Sequence, residues 1–232
     1  MSLRFLVSLL VLLGVASAAS AAERRYTVTD FTRVRVDGGY GVKVTTGVSP
    51  FATASGTPAA LDAVSVEVQG QTLIVRQNRS AWGGFPGQRP GPVEINVGTH
   101  DITAAWLNGA GSVAVDKVRG LSFQLSVQGS GSGSVANLSV DKLEADLSGS
   151  GSIRLGGSAK NVHASVRGPG LFDAANLSAK DVNVSAEGDS VLKITATETA
   201  KVFATGTASV ELAGKPACTV DSNGAATVSG CR

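Results

Sequence analysis

The feature that most constrains this chain is a short phrase of alternating apolar and polar residues closed by a glycine and a small-residue turn, recurring from about Thr103 to Cys231. The anchoring glycines are Gly109, Gly129, Gly149, Gly168, Gly188, Gly206 and Gly224, spaced by 20, 20, 19, 20, 18 and 18 residues. A fixed period of this size signals stacked repeats, because one unit cannot bury its own apolar face whereas a neighbour stacked on it can.

Alignment on the glycine gives columns. Six residues before it stand Thr103, Phe123, Leu143, Val162, Val182, Ala200 and Cys218; four before stand Ala105, Leu125, Ala145, Ala164, Val184, Val202 and Val220; two before stand Leu107, Val127, Leu147, Val166, Ala186, Ala204 and Ser222. The positions between them are mostly polar, as in Gln124, Glu144, His163, Asn183 and Lys201. Period-2 alternation kept in register from repeat to repeat means parallel strands stacked about 4.8 Å apart, apolar columns inward. A second short alternation follows each glycine, as in Ser152-Ile153-Arg154-Leu155. The glycine is the corner between faces, where a left-handed backbone conformation suits a residue without Cβ. The pattern predicts an all-β chain, a single-stranded parallel β-helix of about 19 residues per rung with two or three faces.

The remaining segments fit around this core. Arg4, the apolar run Phe5–Val15 and the small residues Ala16–Ala22 read as a secretory signal peptide over 1–21. No cysteine follows it to carry a lipid, and no later run approaches the roughly 20 apolar residues of a membrane-spanning helix. Residues 22–100 read as a less regular β region continuous with the solenoid, with weak helical character only at Pro58–Ala63. Arg79–Pro92, rich in glycine and proline and carrying Trp82 and Phe85, reads as a long surface loop. Residues 101–232 hold the regular rungs. Cys218 and Cys231, the two cysteines of the chain, predict a disulfide that pins the last turn. Formal charge is only +2 over the whole sequence, which argues against nucleic acid as a partner.

The order of features resembles a bacterial exported family, the auto-transporter adhesins with a head GIN domain. The resemblance rests on the Gly-Val-x-Val turn at Gly41–Val44, the strand Val66–Leu73 and the serial Gly-x-Gly-Ser turns at Gly109–Ser112, Gly131–Ser134 and Gly149–Ser152. It covers about residues 26–230, although Gly168-Pro169-Gly170-Leu171 and the later turns erode the motif. It implies a β-helical protein of the cell envelope with an adhesive role, and it brings no catalytic residues.

Candidate chemistry is sparse. Gly129–Ser134 lacks the Lys-Ser/Thr of a phosphate loop, and the run Gly168–Asp173 is a poor match to calcium-binding solenoid repeats. No metal site or cofactor is implied. His163, stacked in the outward column between Glu144 and Asn183, reads either as a general acid or base or as a solvated surface histidine. The outward column Trp106, Ser126, Asp146, Ser165, Ser185, Phe203 and Asp221 holds two acids four rungs apart, about 19 Å, beyond the reach of a glycosidase pair. Trp106 and Trp82 read as rings for stacking on sugars or anchoring a partner, or, for Trp106, as a side chain covered by the N-terminal segment. Lys142, Lys160, Lys180 and Lys215 recur near one corner, as a stripe for anionic glycans or as solubilising charge. The candidate binding residues are therefore Trp82, Phe85, Trp106 and His163. The leading expectation is a non-enzymatic, exported binding or adhesion module that meets glycans or other cell-surface components. The alternatives are a carbohydrate-active enzyme and a structural envelope protein.

Overall fold

The computed structural model describes residues 22–79 and 91–232; the predicted leader, Trp82 and Phe85 lie outside the described residues. The chain runs β1 (Ala22–Tyr26), β2 (Arg33–Asp37), β3 (Gly41–Thr46), β4 (Phe51–Gly56), α1 (Pro58–Asp62), β5 (Val64–Gln69), β6 (Thr72–Gln77), β7 (Glu94–Thr99) and β8 (Ala104–Gly109). The long strands β9 (Ser112–Gly129), β10 (Ser132–Ser148), β11 (Ser152–Arg167), β12 (Leu171–Gly188) and β13 (Val191–Gly206) follow. Then come β14 (Ser209–Ala213), β15 (Ala217–Gly224) and β16 (Thr227–Ser229). They form a parallel β-solenoid of about six turns, the fold class read from the repeats.

Each long strand bends around the axis. In β10 the pairing with β9 runs over 132–135, 137–140 and 142–148, so a rung turns across three faces. The inward residues on these stretches, among them Val135, Leu138, Leu143, Ala145 and Leu147, are buried, as are Phe123, Leu125, Phe172 and Val184 above and below. The glycine columns and the apolar columns read from the sequence coincide with this register, since Leu143 pairs with Phe123 and Val162, and Ala145 with Leu125 and Ala164.

The corners explain the glycines. At Gly149 the backbone has φ +114°, and a Cβ there would lie 2.4 Å from the carbonyl oxygen of Gly129 one rung below. Both the conformation and the approach exclude a side chain. The rungs are tied at the same corner by Gly131 N donating to Gly109 O (2.9 Å) and Ser152 N donating to Gly131 O (3.0 Å).

The N-terminal coils do not stack in chain order. On the face that carries the predicted outward columns, hereafter the long face, the order is β5–β6–β2–β8 and then the later parts of β9 to β13, with β15 last. On the adjoining face it is β1–β4–β7–β3 and then the first parts of β9 to β13, with β14 and β16. The β2–β3 rung is therefore sandwiched between a β6–β7 rung outside it and the β8–β9 rung inside it. The crossover from β7 to β8 is held by Thr99, a buried residue whose hydroxyl donates to Phe31 O, and by Thr103 N donating to Thr32 O (2.7 Å). Antiparallel pairs close this end, β1 on β4 and β5 on β6. The short α1 begins at Thr57, whose hydroxyl accepts from Ala60 N (3.2 Å), with Pro58 in its first turn and Leu61 buried beneath.

Among the described residues no antiparallel pair covers the C-terminal end. Val220, an inward-column residue, is 44% exposed because no further rung covers it. The disulfide Cys218–Cys231, with Cα atoms 5.7 Å apart, draws the tail back, and Arg232 N donates to Pro216 O (3.1 Å). In a structure where each rung touches only its neighbours, loss of this clasp acts locally. The double variant Cys218→Ser/Cys231→Ser is expected to speed amide exchange in residues 217–229 while leaving protection in β9 to β12 unchanged, as read by hydrogen-exchange mass spectrometry. Gly149→Ala is expected to cost about 2 kcal/mol or more in denaturant unfolding. Gly39→Ala, at a site where a Cβ would meet nothing within 4 Å, is expected to change it by less than about 0.5 kcal/mol.

Candidate functional site

The strand register sets three outward rows on the long face. The middle one joins Ile74, Arg35, Trp106, Ser126, Asp146, Ser165, Ser185, Phe203 and Asp221 across successive strands. Trp106 is half-buried in this row, and the N-terminal segment flanks it, with Arg35 of β2 as its sheet neighbour. It lines an open groove of about 610 Å3 with Arg35, Gln69, Thr72, Ile74, Asn108 and Gln128. Arg35 donates from Nε to Asp37 (3.0 Å), and Asn108 donates to the same carboxylate (2.7 Å), which fixes both side chains at the groove. A second depression, of about 440 Å3, adjoins it through Arg35, Gln69 and Ile74 and extends to Arg79. The groove thus brings an aromatic ring, a guanidinium, amides and a hydroxyl to one surface, a set suited to a ligand with hydroxyls and an apolar ring face.

Phe203, at the far end of the same row, is 41% exposed. Sequence patterning placed it in the column without singling it out. Arg35, Gln69, Thr72 and Ile74 were missed altogether. The alternation Val34-Arg35-Val36 announces an outward Arg35, but nothing local says that its strand lies beside Trp106.

His163 is exposed in the neighbouring row between Glu144 and Asn183, with Lys201 beyond. These side chains share a shallow depression of about 560 Å3. Among the described residues no hydrogen bond links His163 to Glu144, Asp146 or Ser165. Trp106 and His163 lie in different rows three strands apart and do not form one site. Of the corner lysines, Lys160 pairs with Asp141 (2.8 Å), Lys180 with Glu198 (3.1 Å) and Lys142 with Glu144 (4.0 Å). These acids offset the positive stripe. Among the described residues no group of three His, Cys, Asp or Glu side chains is placed to hold a metal ion.

Asp146 lies between the two aromatic ends of the middle row. Burial pushes its carboxyl pKa up, the charge of Glu144 adds to the rise, and His163 and Arg167 oppose it. The folded chain therefore binds this proton more tightly than the unfolded chain, and stability falls as pH rises through the interval between the two values. Asp146→Asn is expected to raise the melting temperature at pH 8. Thermal melts across a pH series should show that gain shrink in acid and vanish below about pH 3, where the carboxyl is largely protonated in both states.

No curated protein matches the chain in sequence. In fold it is similar to the crystal structure of a "putative adhesin" from Bacteroides fragilis, at 19% identity with a TM-score of 0.79, covering 91% of this chain and 97% of that one. It is also similar to a "putative lipid binding protein" from Parabacteroides distasonis (18% identity, TM-score 0.71, 91% and 96% covered). A third structure, a "putative adhesin" from Parabacteroides merdae, gives 18% identity and a TM-score of 0.67, with 91% and 96% covered. These likenesses establish the fold. The family model described as "Putative auto-transporter adhesin, head GIN domain" matches residues 30–216, and the chain therefore belongs to that adhesin-like family.

Proposed function

We propose that this chain is an exported, non-enzymatic binding module of the bacterial cell envelope that adheres to surface glycans through the Trp106 groove. The observation that carries the reading is the groove itself, where a half-buried tryptophan stands among Arg35, Asn108, Gln128 and Thr72 on an otherwise regular surface. Tryptophan offers a large contact area at low conformational-entropy cost, and fixed amide and guanidinium donors orient a polyhydroxylated ligand. Supporting features are the adhesin-like family and the intramolecular disulfide, which suits an oxidising compartment. Among the described residues no helix is long and apolar enough to cross a membrane. The lipid-binding name of one structural neighbour makes anionic and zwitterionic vesicles the natural comparison ligand.

The mature protein is expected to bind a subset of a glycan array and to adhere to cells bearing those glycans. Trp106→Ala should lower that binding at least about 10-fold, with the circular dichroism spectrum and unfolding transition kept. Binding to vesicles alone, or glycan binding indifferent to Trp106→Ala, overturns the reading.

A further inference from the structure

The geometry points to a longer site than the Trp106 groove: a trough across the strands of the long face, from Trp106 to Phe203, that takes an extended, uncharged, β-linked polysaccharide chain. It rests on the proposed function above and names the ligand class for that site.

Three observations define the trough. Trp106 and Phe203 belong to one row, five strand steps apart, so about 24 Å separates them along the solenoid axis. Between them the row is floored by short side chains, Ser126, Ser165 and Ser185, with Asp146 the single charge. The flanking rows carry longer ones, including His163 on one side and Arg167 on the other. The Trp106 groove continues through Gln128 into a depression of about 330 Å3 lined by Ser126, Asp146, Ser165 and Arg167, which covers the first three of the five strand steps.

The floor also holds a hydroxyl open to the groove. Ser165 is 9% exposed, alternates outward between the buried Ala164 and Val166, and lines this depression. Among the described residues its hydroxyl has no hydrogen-bond partner. A hydroxyl that opens to a groove is free to exchange its bond to water for one to a ligand group.

The ligand class follows from shape and charge. A straight row in a stacked sheet requires a chain that is itself straight, which β-1,4-linked pyranoses provide. Their flat apolar faces suit aromatic rings at the two ends, and their hydroxyls suit serines between. The length of one such sugar is close to one strand spacing, so about four units lie between the two that stack on the rings. Anionic polymers would meet Asp146 on the floor, while the nearby Arg167 is already paired with Glu187 (3.6 Å). A peptide strand would pair with a sheet edge, and the trough lies on a sheet face.

The test is calorimetric titration of the mature protein with β-1,4-linked glucose and N-acetylglucosamine oligomers of two and six units. At least one hexamer is expected to bind about 10-fold or more tightly than its dimer. Phe203→Ala should bring the hexamer down to the dimer's affinity while leaving the dimer unchanged, and Ser165→Ala should weaken the hexamer about 5-fold. Trp106→Ala should abolish both. Equal affinities for dimer and hexamer, a hexamer indifferent to Phe203→Ala, or no binding of either hexamer overturns the extended trough. With Trp106-dependent binding retained on the array, each of these results leaves the proposed function standing. Loss of Trp106 dependence for every glycan would instead remove the function as well.

Discussion

The structure depends on the contact of one glycine corner with the next. The hydrogen bonds from Gly131 to Gly109 and from Ser152 to Gly131 lock successive rungs at a point where a Cβ on Gly149 would fall 2.4 Å from a carbonyl oxygen. Because side chains alternate along a strand, a one-residue slip at such a corner would send every inward residue of that rung to solvent. The corner therefore fixes the register, and the register fixes which side chains form core and which form rows. Core packing adds to this rung by rung, so the ends are where a solenoid is weakest. The two ends are treated differently here: antiparallel strands and α1 at the N-terminal side, where Arg24 donates to Leu61 O (2.8 Å) and pairs with Asp62 (2.6 Å), and a disulfide clasp at the other.

This division also decides where function can reside. From β9 to β13 the inward columns are mostly Val, Leu, Ile, Ala and Phe and are buried, and the corners are committed to glycine. The outward rows carry no such demand, so departures from serine and threonine there reflect something other than folding. A ladder of this kind holds outward groups at fixed spacing, which removes much of the ordering cost of binding an extended partner. That is a physical reason for an adhesin-like family to use rungs rather than loops.

Much of this was legible in the sequence, and the limits have a physical cause. From Thr103 onward each rung pairs with its immediate neighbours in the chain, so a column written from the sequence becomes a row in space; Glu144, His163, Asn183 and Lys201 are an example. The weak helical character read at Pro58–Ala63 likewise marked the place of α1, the one helix among the described residues. Upstream of Thr103 the pairing is non-local. Arg35 meets Trp106 from a strand that lies far earlier in the chain, and β3 rather than β7 meets β9. Alternation specifies a strand and its two faces but carries no information on which distant strand it joins. The groove residues Gln69, Thr72 and Ile74 were hidden for that reason, and Phe203 was hidden because an exposed aromatic residue in an outward column looks like an ordinary exception.

The seam between the crossover coils and the regular rungs is also what makes the Trp106 groove unlike the rest of the surface. Identical rungs produce identical rows, and a row of serines offers little that distinguishes one step from the next. At the seam β2 is inserted beside β8, which sets Arg35 and Ile74 in line with Trp106 and brings the amides of Gln69 and Asn108 to the same hollow. Those residues come from strands far apart in the chain, so the hollow exists only when the crossover is closed by Thr99 and Thr103 on Phe31 and Thr32. Formation of the hollow is thus tied to capping of the N-terminal end, and a ligand held at Trp106 would also stabilise the coil that shields the first rungs of the core.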